Sequence, residues 1–264
     1  MIEKKLAILV PSWDGAQELW MPFSFCLNKY WDSRLFDMYL LTQTIEAPKE
    51  LGFEKTITFY SEDRDPVARI IYALNQIEYE YIMIICDDYF AYREISNEHI
   101  NNYLDFMQSN RIDYMDFEEK SGSPQMIKKN PKDLFLISTG RPCIFKKSVL
   151  LDICQNAKAH SMREFEVLGS EYVSKKNGEY NLYTCKNSNL MFTHGVLEGY
   201  WKAKSEILMK KNKVAVKYST YKKYSLVHSV RAAIKAICFN IVLFLFPSLL
   251  KKYYKHSDNW ICKY

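Results

Sequence analysis

The chain has 264 residues, of which 48% are apolar and 25% charged, with a formal net charge of +5. Such a composition supports a packed core in one large domain, or a domain with an appendage, and excludes a disordered chain. The cysteines (Cys26, Cys86, Cys143, Cys154, Cys185, Cys238 and Cys262) are odd in number, scattered and never in C-x-x-C spacing, which argues against a disulfide framework or a structural zinc site.

At the N-terminus only the short apolar run Leu6 to Val10 precedes Pro11 and Trp13, too little for a signal-peptide core, so a cytoplasmic location is expected. The same run reads as a first buried strand, and Asp14-Gly15 leads into a helix from about Ala16 to Tyr30. Asp37 to Thr42 and Thr56 to Tyr60 are short β-rich runs. Val67, Ile70, Ile71, Leu74 and Ile77 mark an amphipathic helix with Pro66 in its first turn. The apolar run Tyr81 to Cys86 follows as a fourth strand. Strands separated by helices or loops predict a mainly parallel central sheet in an α/β/α sandwich.

Further on, Ser96 or Asn97 caps a helix to about Gln108, and Asp113 to Phe117 and Leu134 to Ser138 read as strands. Between these two, Gly122 to Asp133 is polar and contains proline, the pattern of a loop or mobile flap. Cys143 to Phe145 precedes a helix from Lys147 to Gln155. Ser161 caps a helix that carries Arg163, Glu164 and Glu166. Leu182 to Cys185 and Leu190 to Thr193 read as strands that close a domain of residues 1–200.

The chemistry is concentrated where the run Tyr81 to Cys86 ends in Asp87-Asp88-Tyr89-Phe90. Open α/β sheets bind ligands at the carboxyl ends of their strands. Carboxylates there are costly to desolvate without a cation or hydrogen-bond donors, and hard oxygen ligands suit Mg²⁺ or Mn²⁺. The competing reading of an Asp-Asp pair is a solvated turn. No G-x-x-x-x-G-K-[ST], G-x-G-x-x-G or G-x-S-x-G pattern is present.

The segments LAILVPSWDGAQELWMPFSFCLNKYW, DMYLLT and RIIYALNQIEYEYIMIICDDYF resemble bacterial GT-A-type, family 2-like glycosyltransferases of surface-polysaccharide assembly, with D-D-Y-F in place of D-x-D. The resemblance covers roughly the first hundred residues. It implies a GT-A-like sheet, a nucleotide-sugar donor and a divalent metal. Asp88 would then be a metal ligand, and Asp87 would bind the donor's sugar or ribose, or the metal through water. Asp14, with Pro11 and Trp13, would lie against the nucleotide. Arg69, in the helix before the motif, would neutralise a phosphate, although a surface helix charge reads equally well.

Arg163-Glu164-Phe165-Glu166 resembles a W-E-F-E-like stretch that supplies a second-half acid, which makes Glu166 the candidate base of an inverting transfer. An ordinary acidic helix start is the alternative. Glu164 and Glu166, two positions apart, point to different helix faces, so only one is expected to reach the site. A late histidine often completes the metal sphere in such enzymes, which makes His194, at the end of the apolar run Leu190 to Thr193, a candidate third ligand; it also reads as a plain strand-end residue.

From Lys202 to Tyr264 there are 14 Lys and Arg against 2 acids, so this segment carries about +12 and the rest about −7. Its uncharged run, Ala236 to Leu250, has 15 residues including Asn240 and Pro247, short of the about 20 that a crossing requires. Residues 201–264 therefore read as a basic, apolar helical extension that rests on an anionic membrane surface at the inner face of the cell membrane. A nucleic-acid partner is disfavoured, since a phosphate backbone would not reward the Leu/Phe/Ile-rich run. The leading expectation is a metal-dependent glycosyltransferase acting on a lipid-linked or growing glycan. The alternative is a non-catalytic membrane-associated protein that binds a sugar or nucleotide.

Overall fold

A computed structural model describes residues 5–60, 65–130, 136–176 and 178–245. The chain forms two compact units, Met1–Thr193 and His194–Tyr264. In chain order the first contains β1 (Leu6–Pro11), α1 (Gln17–Tyr30), β2 (Asp37–Thr42), β3 (Lys55–Thr58), α2 (Pro66–Leu74), β4 (Tyr81–Ile84), β5 (Tyr89–Ala91), α3 (Asn97–Ser109), β6 (Tyr114–Phe117), β7 (Gln125–Lys128), β8 (Cys143–Lys146), α4 (Lys147–Asn156), α5 (Met162–Lys175) and β9 (Leu182–Lys186), and closes within β10 (Phe192–His194). The second unit contains β11 (Val196–Leu197), β12 (Tyr200–Trp201), α6 (Ala203–Lys211) and α7 (Leu226–Leu245).

Eight strands form one sheet in the order β3-β2-β1-β4-β8-β6-β9-β7. The neighbours β3, β2, β1 and β4 are parallel. β8 runs antiparallel to both β4 and β6, β6 and β9 are parallel, and β7 closes the far edge antiparallel to β9. Six of the eight strands therefore point the same way, and the mainly parallel α/β sandwich expected from the sequence is the architecture observed. β5 lies outside this sheet and pairs with β10.

Every residue of β1 is buried, as for a strand covered on both faces. Ala7, Leu9, Ile82, Ile84, Tyr114 and Phe145 pack with Val67, Ile70 and Leu74 of α2, Leu150 and Ile153 of α4, and Phe165 and Val173 of α5 in one core cluster. On the opposite face Phe117 meets Tyr103 of α3, with ring centroids 5.0 Å apart. The helix starts follow the local chemistry. The Asp65 carboxylate accepts from the N–H groups of Val67 and Ala68 ahead of α2, the Ser96 hydroxyl from Glu98 ahead of α3, and the Ser161 hydroxyl from Glu164 ahead of α5.

Two expectations are corrected. The polar stretch from Gly122 to Asp133 is not a loop throughout, because β7 lies within it and pairs with β9 from Gln125 to Lys128. It is an edge strand held by main-chain bonds, with largely exposed side chains, so no alternating pattern marks it. Conversely, residues 136–138 of the expected strand Leu134 to Ser138 do not form one, while 134 and 135 lie outside the described residues. Side chains satisfy this backbone instead: the Ile137 N–H donates to Ser170 Oγ at 3.0 Å and the Ser138 N–H to Tyr114 Oη at 2.8 Å.

Candidate functional site

After β1 the chain builds outward through β2 and β3, then returns to place β4 on the other side of β1. The connections thus diverge at the carboxyl ends of β1 and β4, which opens a crevice at that edge. Pro11 and Ser12 leave β1 there, and Asp87 and Asp88 follow β4 in a turn closed by the Tyr89 N–H on the Cys86 carbonyl, 3.0 Å.

These two exits are tied together. The Ser12 hydroxyl donates to Asp87 Oδ2 and accepts from Trp20 Nε1 at 2.7 Å. Asp87 is only 8% exposed, whereas Asp88 is half-buried. Burial, reinforced by the neighbouring charge of Asp88, pushes the Asp87 carboxyl up to about 8. The pair is therefore not a solvated turn. A cation beside them would offset the cost of burying the Asp87 charge.

Around it stand the other residues named from the sequence. Pro11 is buried and pairs with Leu41 of β2. Trp13 folds its indole over Gly15: a Cβ on Gly15 would lie 2.1 Å from a ring carbon, so only glycine admits this packing. Asp14 turns its carboxylate onto the exit of β2, accepting from the N–H groups of Gln43 (2.9 Å), Thr44 (3.1 Å) and Ile45 (3.4 Å) and from the Thr44 hydroxyl (2.5 Å). Burial raises its pKa, but these hydrogen bonds prevail and hold it below the ordinary value. Arg69 is 5% exposed and donates from Nη2 to the Ser12 carbonyl at 3.3 Å, so it is not a surface helix charge. Burial lowers its pKa, against the opposing charges of Asp65 and Asp14.

Glu166, half-buried on α5, belongs to the same edge. Its Oε1 accepts from the N–H groups of Thr139 (2.5 Å) and Gly140 (2.8 Å) and from the hydroxyls of Ser138 (3.2 Å) and Thr139 (3.3 Å). Among the described residues nothing bonds its second oxygen, Oε2. Thr139 also joins Glu166 to the acidic turn, since its carbonyl accepts from Cys86 Sγ at 3.4 Å. Glu164 points elsewhere, its Oε2 accepting the His160 N–H at 2.9 Å while its own N–H donates to the Ser161 hydroxyl at 3.2 Å. Of the two acids, Glu166 bonds the 138–140 segment beside the acidic turn and Glu164 does not.

Sequence reasoning missed the layer beneath Glu166. Tyr114 accepts the Ser138 N–H and donates its hydroxyl to the Ser138 carbonyl at 2.9 Å, clamping that residue at both ends. Behind it Asp116, fully buried, receives Lys129 Nζ at 2.7 Å and the Thr184 hydroxyl, with Arg141 Nε at 4.0 Å. The only signal was an Asp inside the otherwise apolar YMDF; its partners come from 13 and 68 positions away. Ser12 was missed for the same reason.

Among the described residues no group of three His, Cys, Asp or Glu side chains is arranged to hold a metal ion. Two carboxylates still fit Mg²⁺ or Mn²⁺, which are commonly held by one or two acids with waters and substrate phosphates completing the sphere. His194 is the last residue of β10 and begins the second unit, where its carbonyl accepts from the Ser205 hydroxyl at 2.7 Å.

No protein-family model matches this chain, and no curated protein matches it. Solved structures do. The chain is similar to S. aureus TarS at 13% identity and TM-score 0.43, covering 71% of this chain and 36% of that one. For S. aureus TarS 1-349 in complex with UDP the values are 13% and 0.45, over 71% and 59%. A cytidylyltransferase from Leptospira borgpetersenii is similar at 16% identity and 0.42, over 67% and 74%. The chain thus spans between about a third and three-fifths of these two TarS chains.

Proposed function

We propose that this protein is a glycosyltransferase that moves a sugar from a nucleotide-diphosphate donor to a hydroxyl of a lipid-linked or growing glycan in surface-polysaccharide assembly, with inversion at the anomeric carbon. The observation that carries the reading is the pairing, at one sheet edge, of a buried acidic turn at Asp87-Asp88 with a carboxylate that is anchored by one oxygen and presents the other. It agrees with the family resemblance of the first hundred residues.

In this reading Asp88, with Asp87 beside it, would hold Mn²⁺ or Mg²⁺, which would neutralise the donor's diphosphate. Pro11, Trp13 and the loop held by Asp14 bed the nucleotide, and Arg69 supports the phosphate end of that bed. Glu166 Oε2 takes the proton of the acceptor hydroxyl as its oxygen bonds to the anomeric carbon. The bond from that carbon to the diphosphate oxygen breaks, and the nucleotide leaves with the electron pair from the opposite face of the sugar. Because Oε1 is held by four donors, the carboxylate does not have to reorganise as the proton arrives.

Calorimetry and turnover test this together. With a panel of nucleotide sugars and Mn²⁺, the wild type is expected to bind one donor and transfer or hydrolyse it. Asp88→Asn should lower metal-dependent affinity tenfold or more, about 1.4 kcal/mol. Glu166→Gln should retain affinity and lose about 10²–10⁴-fold in turnover. Donor binding without turnover in the wild type would favour the alternative, a non-catalytic binding protein. Unchanged affinity in Asp88→Asn would refute the site.

A further inference from the structure

In the second unit α7 is attached the wrong way round for a helix of a globular protein. Leu226, Val227, Val230, Ile234 and Ile237 are between 51% and 68% exposed. At 3.6 residues per turn these five fall within about 100° of arc, so they form one continuous apolar stripe. The half-buried positions are His228, Ser229 and Ala232, on the opposite side. There the His228 ring stacks on Tyr200 at 4.0 Å with Nε2 3.7 Å from a Glu198 oxygen, and Lys235 Nζ reaches Glu198 at 2.8 Å. Polar and small residues thus dock the helix to its own unit, and the apolar face is turned outward, where a stripe of this kind marks a binding surface.

We propose that this stripe is a lipid-contacting face and that α7 lies in the plane of an anionic bilayer. Charge selects the occupant. Lys222, Lys223 and Arg231 are exposed beside the helix, within a segment of 14 bases and 2 acids from Lys202 onward. A second copy of this chain would bring two such segments together, like charge against like. A nucleic acid would satisfy the cations and leave the stripe in water. An acidic phospholipid surface rewards both at once. No helix among the described residues is long and apolar enough to cross a membrane, which accords with a helix lying on the surface. The inference deepens the transferase reading, on which it rests only for the purpose of the contact: presenting a lipid-carried acceptor.

Flotation of the full chain with vesicles tests it. The wild type should float with phosphatidylcholine vesicles containing about a third phosphatidylserine and far less with phosphatidylcholine alone. The double variant Val230→Asp, Ile234→Asp should lose at least tenfold in partition while keeping its circular dichroism. Equal flotation on both vesicle types, or undiminished flotation of the double variant, would overturn the proposal. So would a dimer of the wild type in gel filtration that the double variant dissolves, because a second copy would then be the occupant. Donor calorimetry on the same samples separates the readings, since loss of flotation leaves donor affinity in place, and absence of donor binding leaves flotation in place.

Discussion

Asp14 shows how one side chain shapes a crevice without facing into it. Its carboxylate collects the N–H groups of Gln43, Thr44 and Ile45 together with the Thr44 hydroxyl, so the exit of β2 is held against the exit of β1. Asp14→Ala leaves those donors to find water or go unsatisfied and is expected to cost about 1–3 kcal/mol, read from urea unfolding. The pH dependence has a definite sign. Because the folded pKa lies below the ordinary 3.8, the unfolded chain takes up the proton first as pH falls. The Asp14 contribution is therefore constant above about pH 4 and disappears as pH drops through the folded value. The stability gap between wild type and Asp14→Asn should shrink over that window; a gap that widens would contradict the assignment. At this scale Asp87 and Asp88 were legible because they end an apolar strand, and Glu166 through the resemblance of Arg163-Glu164-Phe165-Glu166 to a W-E-F-E-like stretch. Ser12 was not, since an ordinary serine acquires its role only from Asp87, 75 residues away.

Among elements, the telling contact is between β6 and residues 138–140. Tyr114 sits in the core by its ring and holds Ser138 by its hydroxyl, and that loop in turn holds Glu166 Oε1. Burial, with the charge of Asp116, keeps the Tyr114 pKa well above its ordinary value, so the phenol stays a donor. Tyr114→Phe keeps the packing and releases the clamp. We expect a stability loss of about 1–3 kcal/mol from the unpaired Ser138 groups. If the proposed transfer holds, turnover should fall while donor affinity is kept, and the pH profile of kcat should shift with the altered surroundings of Glu166. An unchanged profile would reduce Tyr114 to a packing residue. The helices were legible through the apolar period of one buried face, and strands such as β1 and β4 as short apolar runs buried on both faces. β7 and the 136–138 segment were not, because main-chain pairing in one and side-chain capping in the other leave no such trace.

On the scale of the chain, the mainly parallel sheet and the uneven charge were both visible in the sequence, the first through alternating strands and helices, the second by counting, whereas the strand order around β1 was not. They make separable demands on the solvent. Contacts between an exposed basic surface and lipid headgroups are screened over a Debye length of about 10 Å at 0.1 M salt and about 3 Å at 1 M. Raising salt through that range should strip the protein from anionic vesicles while changing donor affinity far less, because the acidic turn is buried. Parallel losses of both would argue against their independence.

One reversed strand has a wider consequence. β8 runs against β4 and β6, so its first residue, Cys143, opens at the same rim where β4 ends, opposite Ile84 and Asp116. Had it run with its neighbours, residues 138–142 would enter the sheet about 13 Å away, at the far rim. The antiparallel strand thus brings residues 138–140, and the Glu166 carboxylate they hold, from the later half of the chain to the rim where the earlier half places Asp87 and Asp88.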